Sequence, residues 1–420
     1  MAWAFFCGLL LWCASPALQA APRDVYVGTL GAAPARAVVL ELEVQPGARG
    51  ADAAGAWVGR YFDRQQGVDI PLRGTSQALA EGLPLKSLAP QGEADAHRAA
   101  GPVFADAQQR TITWHGLRGQ GVFSGEWVDG IHERRMPFSL RWVARYDPQS
   151  WQVQQLPFAY PLNPVADEVL PEGLAITPQA TPYEHLRLDV PMVPGDVVRV
   201  GPQLAWQRVR DPRTGVAYPR ITEHPHPARM AAANALLVQR HWRMNQDALA
   251  CKAAAYTADV PAAGTVADYD LEQVDVAYLS AVAMSVVESG APECGGAHAN
   301  HHYNPFTLDL LRGGYLDFAR LLRGYAEAEG QPPYSPALGA VLQQAWADAQ
   351  ESEGEAGACG SPVPDAMRLH WSGAGQLAWV AAGMGRSASA CLGAGASLSW
   401  QELAPFWTPE AADYLPVRTP

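Results

Sequence analysis

The chain has 420 residues and a formal net charge of −12, from 30 Lys and Arg against 42 Asp and Glu. That length predicts two or three domains, and mild acidity favours solubility while disfavouring nucleic acid, which needs a basic surface. Beyond the first twenty residues no apolar run is long enough for a membrane helix.

Residues Met1 to Ala20 form an apolar stretch that closes in Ala17-Leu18-Gln19-Ala20 before Ala21-Pro22-Arg23. It reads as a cleaved signal peptide, which predicts an exported, periplasmic or secreted protein. Cys7 and Cys13 fall inside it, so four cysteines remain, Cys251, Cys294, Cys359 and Cys391. An even number in an exported chain predicts disulfides, and none of the four has the C-x-x-C spacing of a zinc knuckle. The expected pairs are Cys251 with Cys294, tying a helix end to a Gly-Gly turn, and Cys359 with Cys391, spanning a hairpin. No Asn-x-Ser/Thr sequon occurs.

From about Val25 to Tyr146 the pattern is that of a β-meander. Val38, Leu40, Leu42 and Val44 alternate with Val39, Glu41 and Glu43, and Phe138, Leu140, Trp142, Ala144 and Tyr146 alternate with Arg141 and Arg145. Many short strands between Gly-containing turns predict a small barrel or sandwich over residues 21–150. Pro157, Pro161, Pro164, Pro171, Pro178, Pro182 and Pro191 then crowd together, which predicts a Pro-rich linker over residues 151–185 and one edge strand over Leu186 to Val190.

Residues 186–420 predict a mixed α+β domain with helices and antiparallel sheet. Met230, Ala233, Leu237, Met244, Ala248 and Cys251 recur at helical spacing on one face. Tyr278 to Val287 reads as one buried strand and Phe318 to Tyr325 as a short helix. Ser335-Pro336 marks the start of a helix running through Trp346. Met367, Leu369 and Trp371, then Leu377 and Trp379, read as a hairpin. Cys294-Gly295-Gly296-Ala297-His298 predicts a tight backbone passage, and Thr307-Leu308-Asp309-Leu310 a strand running into a turn at Gly313 and Gly314.

Tyr218-Pro219-Arg220-Ile221, the helix carrying Asn234, Tyr278, the Gly-Gly-Ala-His stretch with Thr307-Leu308-Asp309-Leu310, and Cys391 before Trp400-Gln401-Glu402-Leu403 follow one another in order. That series resembles the C-terminal domain shared by lysozyme-sensing anti-sigma factors of the RsiV type and peptidoglycan deacetylases of the PdaC type, over roughly Leu186 to Leu415. The chain lacks the anti-sigma factor's transmembrane segment and the Thr-Phe-Asp-Asp and His-[Ser/Thr]-x-x-x-His motifs with which those deacetylases hold metal. The resemblance therefore implies a domain of cell-wall or lysozyme biology and not a catalytic centre. The resemblance does not extend to the N-terminal domain.

Chemistry-bearing motifs are sparse. His298, His301 and His302, with His224 and His226 upstream and Asp309 as the nearest carboxylate, form a candidate zinc set, although the spacing fits no standard motif; the bland reading is loop histidines bonded to backbone. His132-Glu133 lacks the second metalloprotease histidine, for Met136 stands there; Gly119-x-Gly121 lacks the last glycine of a dinucleotide loop. No Gly-x-Ser-x-Gly elbow or phosphate loop occurs. Glu126 and Asp129 flank Trp127 but fall on a strand face and in a turn, the latter expected to be solvated. Trp114, Trp127, Trp142, Trp371 and Trp379 sit at alternating positions, where core packing is the default and a binding face the alternative. The leading expectation is a non-catalytic, disulfide-stapled binding protein of the cell envelope without cofactor, whose ligand is a protein such as lysozyme or a cell-wall glycan, with Gly295, Gly296, His298 and Asp309 as binding residues. The competing one is a zinc-dependent hydrolase of cell-wall material acting through His298, His301 and His302.

Overall fold

A computed structural model of the chain describes residues 22–44, 57–82, 112–150, 174–258, 272–292, 301–326, 334–353, 359–373, 375–382 and 386–415. Cys294, Gly295, Gly296 and His298 lie outside them. The meander closes into an eight-stranded barrel of β1 (Arg23–Leu30), β2 (Arg36–Val44), β3 (Trp57–Asp63), β4 (Ile70–Gly74), β5 (Ala78–Glu81), β6 (Ile112–Gly119), β7 (Val122–Asp129) and β8 (Arg134–Tyr146). Each strand pairs antiparallel with its neighbour in sequence, and β8 returns to β1 with Leu30 opposite Phe138. Closure removes both sheet edges, and an eight-stranded barrel is narrow enough for side chains to fill. Tyr26, Leu40, Leu72, Trp114, Phe123 and Phe138 point inward and are buried. Edge-to-face contacts run from Tyr61 through Trp114, 4.9 Å away, to Phe138 and Phe123 at 4.9 and 4.8 Å. A Cβ at Gly28 would collide with the Ser139 carbonyl, so the sharp coiling of β1 against β8 there needs glycine. Gly119 and Gly121 belong to the β6–β7 hairpin; Gln120 and Gly121 both have positive φ, 51° and 77°, as a primed turn requires.

The expected edge strand at Leu186 to Val190 is instead the end of a helix, α1 (Pro182–Leu188). Thr181-Pro182 presets the first turn, and Tyr183, Glu184, Arg187 and Leu188 bury one helical face. The proline density hid that face. The preceding residues are anchored, for Ile176 exchanges two hydrogen bonds with the Gln239 amide, at 2.8 and 3.0 Å.

Three antiparallel three-stranded sheets follow, β9 (Val193–Gly201) with β10 (Leu204–Arg210) and β11 (Ala217–Glu223); β12 (Gln273–Leu279) with β13 (Ala283–Gly290) and β14 (His302–Asp309); and β15 (Met367–Gly373) with β16 (Gln376–Ala381) and β17 (Gly395–Ser399). Helix α2 (Pro227–Ala258) lays Ala233, Leu237, Met244, Ala248 and Cys251 onto Tyr218, Ile221, Val286, Phe306 and Leu308, as its periodicity predicts. Asn234, though within the helix, clamps the Ile221 backbone with bonds of 2.9 and 2.8 Å. Helix α3 (Pro336–Glu353) runs beyond Trp346 and packs Leu338, Leu342 and Trp346 with Leu369, Trp371 and Trp379.

Two expected elements differ. Tyr278 to Val287 is not one strand: Ser280 Oγ accepts from the amides of Val282 and Ala283, at 3.2 and 3.1 Å, and turns the chain from β12 into β13. Within Phe318 to Tyr325 only Phe318–Arg320 is helical, one 3-10 turn capped by Asp317. The hairpin at Met367 to Trp379 forms with Leu369 opposite Trp379. Cys359 and Cys391 are disulfide-bonded across a separation of 32 residues, a loop for which chain-entropy reasoning gives about 3–4 kcal/mol. Cys251 is disulfide-bonded as well, to a partner outside the described residues. Among the described residues no helix is long and apolar enough to cross a membrane.

Candidate functional site

The candidate histidines do not converge where the structure describes them. His301 is exposed, whereas the ring of His302, at the start of β14, lies 3.2 Å from Glu272. His224 accepts from the His226 amide at 3.0 Å and faces the Ala281 carbonyl at 3.2 Å, so it orders a turn. Asp309 is buried: Oδ1 accepts from the amides of Leu311 and Arg312, both at 3.0 Å, and Oδ2 from Tyr414 Oη at 2.7 Å. It ties the C-terminal segment to the turn after β14. Among the described residues no group of three or more His, Cys, Asp or Glu gathers in metal-holding geometry.

Asp129 corrects the sequence reading, for it is buried and not solvated. It accepts from the amides of Ile131 and His132, from the His132 ring and from Arg134. Burial acts upward on its carboxyl, but those donors together bring it down to about 2. Glu126 pairs on the outside with Arg135 at 2.7 Å. His132 and Glu133 lie in the β7–β8 turn, where Glu133 has φ 55°, so no metalloprotease helix forms. Trp114, Trp127, Trp371 and Trp379 are core residues. Trp142 is 42 % exposed and donates to Asp24 at 3.0 Å.

Three buried polar clusters have no counterpart in the sequence motifs. Inside the barrel, Glu81 Oε1 accepts from Tyr61 Oη and from the indoles of Trp114 and Trp127, at 2.8, 2.9 and 2.7 Å; burial raises its carboxyl despite these donors. Between barrel and α1, Asp69 accepts from Tyr183 Oη at 2.7 Å, from Arg60 at 2.9 Å and from Arg187, while Glu184 pairs with Arg60 at 2.9 Å and Arg187 at 2.8 Å. Under α2, Glu288 takes two bonds from Arg240, at 2.8 and 2.5 Å, and one from Tyr218, with the guanidinium 4.0 Å over Phe306. Asp69, Glu81 and Glu288 accept from the donors around them, whereas Glu184 is held between the Arg60 and Arg187 guanidiniums as an ion pair without an accepted hydrogen bond; these contacts serve structure.

Asp247 on α2 is different. Burial pushes its carboxyl up to about 7, opposed by Arg243 and Arg187 and reinforced by Glu272 and Glu184. A carboxyl held above its unfolded value near 4 destabilises the fold progressively as pH rises between those values, because the unfolded chain releases the proton first. Asp247→Asn should remove that slope and, at about pH 8, leave the variant roughly 1–3 kcal/mol more stable, less than the full shift because the side chain is only partly buried. Urea midpoints between about pH 5 and 8 check this, and parallel pH profiles of parent and variant would refute it.

The most open feature is β9. It is the edge of its sheet, every residue but Gly201 is exposed, and Val193, Val197, Val198 and Val200 keep 42, 50, 41 and 48 % of their surface in solvent. Pro194, Asp196 and Arg199 interrupt the valines, as edge strands ordinarily require, but no described strand covers the outer side. Compared with known proteins, the chain matches no family model and no curated sequence.

Proposed function

We propose that the chain is an exported, non-catalytic binding protein of the cell envelope, whose RsiV-like C-terminal domain receives an extended segment of a basic protein partner such as lysozyme on the free edge of β9. The observation that carries this reading is the valine-rich edge of β9, whose outer side no described strand pairs. Main-chain groups along an open edge supply affinity to an incoming strand, and alternate side chains supply selectivity. The charge of −12 favours a basic partner by long-range attraction. The Cys359–Cys391 bond suits an oxidising compartment, in line with the expected signal peptide.

Calorimetric titration of lysozyme into the protein tests the reading. Binding at micromolar strength or tighter is expected, weakened at least about tenfold when Val197→Lys and Val198→Lys place a charge on each face of the edge. Sedimentation with peptidoglycan but no binding of lysozyme would move the ligand to a glycan. Failure of both would overturn the proposal.

A further inference from the structure

Glu272 and His302 close one end of the sheet formed by β12, β13 and β14. Glu272 directly precedes β12, and His302 opens β14 opposite Gly290 at the end of β13. The Glu272 side chain is 1 % exposed, yet neither of its carboxylate oxygens accepts a hydrogen bond. Asn304 Oδ1, two residues along the same face of β14, is also buried without a donor. Buried acceptors are almost always satisfied, and a buried carboxylate is costly unless something compensates it.

The His302 ring supplies part of that compensation, but its geometry is telling. Nε2 lies 3.2 Å from Glu272 Oε2, within ion-pair range, while that oxygen accepts no hydrogen bond. Zinc ligands at about 2.0–2.1 Å in a tetrahedral shell stand roughly 3.3 Å apart, which matches the observed separation.

We propose that Glu272 and His302, with Asn304 Oδ1 as a third donor and solvent completing the shell, form a site for a divalent cation of the zinc class. The pair differs from the His298, His301 and His302 set suggested by sequence proximity, because its carboxylate comes from the start of another strand. The site stands independently of the binding role of β9. A cation there would cross-link β12 to β14 and stabilise the folded chain in proportion to its occupancy.

Zinc chloride titrated into the metal-stripped full chain is expected to bind at about one equivalent with Kd below about 10 µM and to raise the unfolding temperature. Glu272→Gln should weaken binding at least about tenfold and abolish the thermal shift, whereas His301→Ala should change neither. Gly290→Ala supplies a second probe that changes none of the proposed ligand residues. A Cβ there would stand 2.6 Å from Glu272 Oε1 and push the flexible carboxylate aside, so it too should weaken zinc at least about tenfold while the chain folds. No binding by the parent overturns the site, as does undiminished binding in Gly290→Ala or in folded Glu272→Gln. Loss of binding in His301→Ala would overturn it as well.

Discussion

Arg187→Ala is expected to lower stability by about 3–5 kcal/mol, the cost of leaving buried carboxylates without their cation. Arg187 is 2 % exposed and Glu184 1 %, and Arg187 bridges Glu184 to Asp69. Removing it leaves Asp69 and Glu184 to share Arg60, which already serves Glu41 at 3.2 Å. The loss should appear as a lower urea midpoint and as faster amide exchange in α1, since this cluster and the Phe62–Tyr183 ring contact at 5.1 Å hold the helix to the barrel wall. A cost below about 1 kcal/mol would mean that the charges are solvated rather than buried.

Glu81→Leu should cost a similar amount, about 3–5 kcal/mol, by a different route. Its volume suits the barrel, but three ring donors, Tyr61 Oη and the indoles of Trp114 and Trp127, lose their single acceptor. Glu81→Gln keeps a carbonyl acceptor at the same place and should cost less than half as much. Thermal unfolding of the two variants separates the explanations. If the glutamine and leucine variants lose stability equally, it is the charge and not the acceptor that matters.

Much of the fold was legible because burial follows alternation. Val38, Leu40 and Leu42 on β2 and Phe138 and Leu140 on β8 marked barrel strands by period alone, and Met230 to Cys251 marked α2 by spacing. What stayed hidden depended on contacts distant in sequence. Glu41, Arg60 and Asp69 occupy outward positions that read as a wet barrel surface, until α1 packs over them. Glu81 lies on a four-residue strand whose pattern says little, and its indole partners come from β6 and β7. The partner of His302 was equally hidden, for Glu272 comes from the residue just before β12, thirty positions away, while neighbouring His301 is exposed. The open edge of β9 was invisible for the same reason. Val193, Val197, Val198 and Val200 would ordinarily predict a buried strand, and only the sheet order shows that nothing among the described residues pairs with its outer side.

Amide hydrogen exchange with and without lysozyme tests most directly whether β9 is the binding edge. The account predicts that bound partner slows exchange in Val193–Gly201, with smaller changes in β10, and leaves the barrel strands unchanged. Protection centred on the barrel, or unaltered exchange in β9 at saturating partner, would contradict it.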